Sequence, residues 1–263
     1  MDLNCGSIIC GYLLRSNDLL ICPIPRTALL PSLPQDGKVA EIGVAEGNFS
    51  HEIATINKPK KLYLVDPWIY QCRDDYENDP NNADQDEQNR RYMAVCNRFS
   101  SAVKSGQISI LRKFSSDAAT DFSDECLDWV YIDAVHSYEG ALQDLRTYSS
   151  KVSEDGFILG HDFANHHFAI EMNFGVVEAV ETFVSETSYE LLLITDEGYP
   201  TFVLAKNPKG RNAQKLLDLL YFSVPHIIEV EDWKGRFQQR LIKVGDKTRL
   251  VNGFSLKSRR PRV

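Results

Sequence analysis

No two of the six cysteines (Cys5, Cys10, Cys22, Cys72, Cys96, Cys126) form a CxxC pair. In a chain of 263 residues this excludes a zinc knuckle or a disulfide frame and reads as reduced thiols in a cytoplasmic setting. Also missing is any uncharged apolar run near the ~20 residues of a membrane-spanning helix. Arg15 and Asp18 interrupt the apolar patches around Ile8 and from Leu19 to Ile24. No basic segment leads into a clean apolar one, so neither a secretory signal nor a membrane partner is expected. There is no GxGxxG, the spacing that cradles a dinucleotide pyrophosphate. That absence speaks against a nicotinamide dehydrogenase.

A basic body is lacking as well. The net charge is -8. Residues 206–263 hold 14 Lys and Arg against 5 Asp and Glu, whereas residues 1–205 hold 15 against 32. Nucleic-acid binding needs a basic face to meet phosphates, so the acidic body argues against it. The basic end, finishing Lys257-Ser-Arg-Arg-Pro-Arg262, reads as a solvated tail. With 43% hydrophobic and 25% charged residues, the composition is that of a globular protein.

The middle of the chain alternates short β-branched runs with helix-forming stretches. Strands are expected at Lys38–Val44, Lys61–Asp66, Ile108–Arg112, Leu127–Asp133, Gly156–Gly160, Tyr189–Thr195 and Thr201–Ala205. Helices are expected at 48–56 with Asn48 as cap, 84–104, 138–152 and 176–186. The alternation predicts right-handed crossovers and a mostly parallel α/β sheet covered on both faces. Residues 37–207 form this domain. Residues 1–36 read as an irregular, proline-rich extension, and 208–263 as a basic appendage of one helix and a hairpin turning at Gly245-Asp246. Oligomerisation (a homo-oligomer included), lid formation and partner contact remain open for the appendage. The acidic stretch 73–87 is a candidate lid.

Such sheets bind ligands at the carboxyl ends of their strands. At the first strand end stands Glu41-Ile-Gly-Val-Ala-Glu-Gly47, whose Gly43 and Gly47 let backbone approach a ligand and suit a small nucleoside. Glu41, on a buried strand, needs a partner, which a bound ammonium would supply. Asp66 ends the second strand about twenty residues on, where an acid bonds ribose hydroxyls, with Pro67-Trp68 as an apolar wall. Two further strands end in Asp133 and Asp162, beside His136 and His161, with His166-His167 just beyond. Converging carboxylates repel, so a divalent cation or a proton in transit is expected between them. Oxygen donors favour Mg²⁺, Mn²⁺ or Ca²⁺, and more imidazole favours Zn²⁺ or Fe²⁺.

The ordered series Glu41–Gly47, Val65–Trp68, Asp128–Glu139 and Gly156–Phe163 resembles class I S-adenosylmethionine-dependent methyltransferases with E-I-G-x-x-x-G, V-D-P-W, Y-I-D-x-x-H-S-Y-E and G-H-D-[YF] motifs. The resemblance spans about residues 37–207. It implies a Rossmann-like doubly wound sheet of seven strands with an antiparallel last strand. It also implies S-adenosylmethionine as cofactor and a small-molecule acceptor, with an O-methyl product as first expectation. Glu41, Gly43, Val44, Ala45 and Gly47 would hold the methionine part. Asp66 would hold the ribose, Pro67 and Trp68 would lie beside the adenine, and Ser115, Ser116 and Asp117 would flank its edge. Asp133 would face donor and acceptor, with His136 or His161 as base. Some relatives bind a divalent metal such as Mg²⁺ through acids at these strand ends, here Asp133 and Asp162. His161 stands where they have a second acid, completing a candidate set of Asp133, His161 and Asp162. Two rivals are a metal-dependent hydrolase or oxygenase using His161, Asp162 and His166, and a non-catalytic scaffold of the same fold.

Overall fold

The computed structural model describes residues 18–256, with 74, 75, 77, 78 and 80 excepted. The expectations for Cys5, Cys10, much of the acidic stretch and the basic run 257–262 fall outside the described residues.

Seven apolar runs become the expected strands: β2 (Lys38–Ile42), β3 (Lys61–Val65), β4 (Ile108–Leu111), β5 (Leu127–Ile132), β6 (Val152–Gly160), β7 (Glu190–Thr195) and β8 (Phe202–Ala205). Two more join them, β1 (Leu19–Cys22) and β9 (Ile228–Val230). The sheet has nine strands in the order β4-β3-β2-β5-β6-β8-β7-β1-β9. β8 runs antiparallel to both β6 and β7. β1 lies parallel to β7, pairing Leu20 with Leu193, and antiparallel to β9. Seven strands therefore become nine, and the sheet does not break at residue 36 or 207. The N-terminal segment, expected to be irregular, supplies a fully buried strand followed by a 3-10 helix over Arg26–Ser32. Leu19-Leu-Ile-Cys22 is too short for its alternation to stand out beside the prolines that follow.

One sheet face buries α5 (Tyr138–Ser149) and α7 (Val176–Glu186) through Leu142, Leu145, Val177, Val180 and Phe183. The other buries α1 (Asn48–Glu52), α2 (Gln85–Arg98) and α8 (Arg211–Ser223). In α8 the stripe Ala213, Leu216, Leu217 and Leu220 repeats at helical spacing; each buried leucine contributes about 1.5–3 kcal/mol. Asp84 caps α2 by accepting from the Glu87 N–H, and Ser137 caps α5 by accepting from the Gly140 N–H. Asn48 is not the cap of α1. Gly47 holds that place in the left-handed region (φ 71°), where asparagine is tolerated but glycine is unstrained. A short α3 (Ser100–Lys104) and α4 (Ser115–Ala118) flank β4.

The appendage is as expected beyond its unforeseen strand β9. β10 (Phe237–Val244) and β11 (Lys247–Phe254) form a hairpin that turns at Gly245 (φ 61°). Its base is anchored by Phe237 packed 4.8 Å from Phe163. No helix of the described residues is long and apolar enough to cross a membrane. Between β2 and β5 the strand order reverses, and the polar strand ends gather there.

Candidate functional site

The loop after β2 is built by backbone demands. Gly43 donates its N–H to the Val65 carbonyl (2.9 Å), and Asp133 donates its own to Ile42 (2.7 Å). The two strand ends approach so closely that a Cβ on Gly43 (φ 87°) would sit 2.0 Å from the Asp133 carbonyl oxygen. Asp66 binds this loop from the next strand. Its Oδ2 accepts from the Val44 and Ala45 N–H groups at 2.9 Å each, and its Oδ1 from Trp68 N–H at 2.7 Å. A carboxylate offers about four acceptor sites, so one remains for a ligand hydroxyl.

A cleft of about 230 Å³ opens over these strand ends, bounded by Gly43, Ala45, Asp66, Pro67, Ser115, Ser116 and Asp133. Several expected ligand residues stand behind it instead. Trp68 is fully buried, donates its indole N–H to the Ala45 carbonyl (2.9 Å) and packs on Tyr92. Pro67 and Ile69, rather than Trp68, form the apolar wall. Val44 is buried, and Gly47 is buried where an added Cβ would press on Val95 and Phe99. Asp117 is exposed and off the cleft wall. Ser115 donates its hydroxyl to Asp144 (2.6 Å), whose carboxyl burial pushes up to about 6.

Glu41 also lies beneath the cleft, buried, with the Ser50 hydroxyl as its hydrogen-bond partner in place of the expected ammonium. Burial pushes its carboxyl up to about 8, only partly offset by Ser50. Between the unfolded value of 4.5 and about 8 the folded state holds a proton that the unfolded state releases, so stability falls as pH rises through that window. Glu41→Gln removes this dependence. Its melting temperature is expected to fall less than that of the parent between pH 5 and 8; parallel melting curves across the range would refute the assignment.

A second pocket, about 310 Å³, adjoins the first and shares Asp133 and Asn81 with it. Its polar wall carries Asp79, His136, His161 and Asp162, and its apolar wall Met172, Phe174 and Tyr199. Asp162 (φ 57°) receives both imidazoles: His136 Nδ1 at 2.8 Å on one oxygen and His161 Nδ1 at 3.0 Å on the other. His136 also turns Nε2 to Asp79 (3.3 Å) and lies against Phe174. Burial would lower the His136 pKa, but Asp162 and Asp79 carry it up to about 10. With a carboxylate on each nitrogen, His136 has no unshared nitrogen to turn to an acceptor. The Asp162 carboxyl, which burial alone would raise, is held far below the usual range by the two histidines. His161 is also shifted upward: burial opposes the shift, and the Asp133 and Asp162 charges prevail. Among the described residues none bonds His161 Nε2, which leaves one imidazole nitrogen for the pocket.

Asp133, His136 and Asp162 can each offer an atom within 4.8 Å of the others, so His136 replaces His161 in the grouping expected for a metal. Most of those atoms already have a partner. His136 has no unshared nitrogen, each Asp162 oxygen meets a histidine, and one Asp133 oxygen is met by Arg26. Three carboxylates thus face three basic side chains, and a divalent ion would have to displace at least one of them. With these pairings kept, the residues present do not fit a metal centre. Among the described residues the rival set of His161, Asp162 and His166 is not close enough to share an ion; His166 Nδ1 accepts from the Ala169 N–H, capping the short α6 (His167–Glu171).

Arg26, the residue at Asp133, had no signature in the sequence. Its guanidinium reaches Asp133 (3.2 Å) and the Tyr131 hydroxyl (2.8 Å) and lies 4.4 Å over the Phe49 ring. Tyr199 of the aromatic wall also escaped notice, because it falls in a bend outside every motif.

Residues 40–163 match a family model described as a methyltransferase domain. No curated protein matches. Among solved structures, one Corynebacterium glutamicum protein is 12% identical with a TM-score of 0.47, over 70% of this chain and 83% of its own. Spermidine synthase from Thermotoga maritima is 14% identical with a TM-score of 0.42, over 68% of this chain and 56% of its own. A Streptococcus mutans protein, proposed to be a methyltransferase and solved with SAH, is 9% identical with a TM-score of 0.48, over 69% and 98%. Likeness at this level carries no choice of chemistry. From β2 to the residues just past β6, the chain is similar to methyltransferase domains.

Proposed function

We propose that the protein methylates a hydroxyl of a small-molecule acceptor, using S-adenosylmethionine held in the cleft over β2, β3 and β4. The observation that carries this reading is the meeting of two pockets at Asp133: one suited to a nucleoside, the other lined by aromatic, acidic and imidazole groups. Gly43 and Ala45 present backbone to the cofactor. Asp66 keeps one acceptor site for a ribose hydroxyl, Pro67 and Ile69 flank the base, and Ser116 lies at its edge.

The cofactor supplies a methyl group already activated on a sulfonium. What the chain must add is alignment, which contributes ~7–11 kcal/mol in well-oriented reactions, and removal of the acceptor proton. His161 is placed to take that proton. Asp162 fixes its Nδ1 as the protonated nitrogen and leaves Nε2 free to act on the pocket side, while His136, held by Asp79, steadies Asp162. Asp133, between the pockets, orients the acceptor oxygen.

A screen of hydroxylated acceptors for S-adenosylhomocysteine release tests the reading. With any acceptor that turns over, His161→Ala is expected to lower kcat by ~10²–10⁴-fold, the contribution of a general base. Turnover by this variant at the parental rate would remove His161 from the mechanism. Failure of every acceptor class, with intact S-adenosylhomocysteine binding, would favour the scaffold reading.

A further inference from the structure

The positive charge at Asp133 does not come from the motif-bearing part of the chain. Arg26 follows β1 and opens the 3-10 helix Arg26–Ser32. β1 is fixed in the sheet by β7 and β9, and the Arg26 backbone N–H donates to Glu197 Oε2 (3.0 Å), which also accepts from the Thr195 hydroxyl (2.8 Å). The backbone is thereby held where the side chain can cross 107 positions of sequence to Asp133. Phe49 and Tyr131, themselves 4.3 Å apart, flank the guanidinium, and both the Tyr131 hydroxyl and Asp133 accept from Nη1. Its side chain is 28% exposed, so the charge beside Asp133 keeps partial contact with solvent.

We infer that Arg26 is a positioning residue that supplies, from within the chain, the positive charge at Asp133 that a metal-assisted relative would take from a divalent ion. The segment bearing β1 is then part of the active site. A guanidinium suits this role, since it cannot lose its proton at working pH and aromatic faces take it readily. It orients one carboxylate oxygen and leaves the other turned to His161, 3.7 Å away.

The inference rests on S-adenosylmethionine as cofactor, and its test separates the two. S-adenosylmethionine carries a positive sulfonium; S-adenosylhomocysteine is neutral at that sulfur. With Asp133 neutralised by Arg26, the parental protein should distinguish the two weakly. Arg26→Gln, which keeps most of the packing, leaves Asp133 uncompensated beside the cleft. By calorimetry the variant should prefer S-adenosylmethionine over S-adenosylhomocysteine more strongly than the parent does, by roughly five- to tenfold for one solvent-screened charge. Arg26→Lys should restore the parental ratio, which a merely structural role would not require. Mn²⁺ alone should show no saturable binding to the parental protein. Binding of both nucleosides with an unchanged ratio in Arg26→Gln would overturn the inference. So would stoichiometric Mn²⁺ binding that Asp133→Asn abolishes. Failure of the parental protein to bind either nucleoside would instead bring down the cofactor reading.

Discussion

Asp133→Asn is expected to lose turnover by ~10²–10⁴-fold while binding S-adenosylhomocysteine within about threefold of the parental affinity. The asymmetry follows from where the residue sits. Its backbone N–H, bonded to Ile42, helps to shape the cleft and is unchanged by the substitution. Its side chain stands at the junction of the two pockets, bonded to Arg26 on one oxygen and facing His161 with the other. An amide of the same shape keeps the packing but loses the charge to which the proposed mechanism gives the orienting of acceptor and base. Initial rates with a working acceptor, set beside calorimetry with S-adenosylhomocysteine, check both halves. A variant that keeps parental kcat would place the chemistry elsewhere. One that loses nucleoside binding as completely as turnover would make Asp133 a cofactor ligand rather than the residue between donor and acceptor.

Gly43→Ala is expected to cost about 4 kcal/mol or more, the range reserved for backbone collisions and special conformations. Two effects add. The residue lies at φ 87°, outside the ordinary left-handed basin of L-residues, and the new Cβ would meet the Asp133 carbonyl oxygen at 2.0 Å. That atom is backbone on the neighbouring strand, so no rotamer change relieves the contact; β2 and β5 must separate at their ends. Denaturant melts should show a sharply lowered midpoint, or the variant should fail to accumulate as folded protein. Gly106→Ala offers a control, since it too has positive φ (80°) but open space around its Cβ. Its loss should be limited to backbone strain, about 1–3 kcal/mol. Equal stabilities for the two variants would refute the close-approach explanation.

The parallel core was legible because its strands are short β-branched runs separated by helix-length segments, and their ends carry the polar residues that gather at the switch point. Asp133, His136, His161 and Asp162 do come together, as their motifs implied. What sequence could not give was the division of labour among them. Spacing does not reveal that His136 is spent between Asp79 and Asp162, nor that Asp66 uses most of its carboxylate on the amides of Val44, Ala45 and Trp68. Trp68 looked like a purine wall because it follows Asp66. Its left-handed backbone (φ 43°) turns it into the core, a conformation set by its hydrogen bonds to Asp66 and Ala45. Arg26 was hidden for a different reason: long-range contacts leave no mark on local pattern. Nothing in Pro25-Arg-Thr27 separates it from any exposed arginine, and β1 is only four residues long.

The most direct test is a calorimetric titration of the full chain with S-adenosylhomocysteine, run beside Ser116→Trp, which fills the cleft from an exposed position without touching the core. One-to-one saturable binding to the parental protein, abolished in Ser116→Trp at an unchanged melting temperature, is the outcome expected of a nucleoside site over β2, β3 and β4. No heat with the parental protein, or equal affinity in both, would mean that the cleft holds something else.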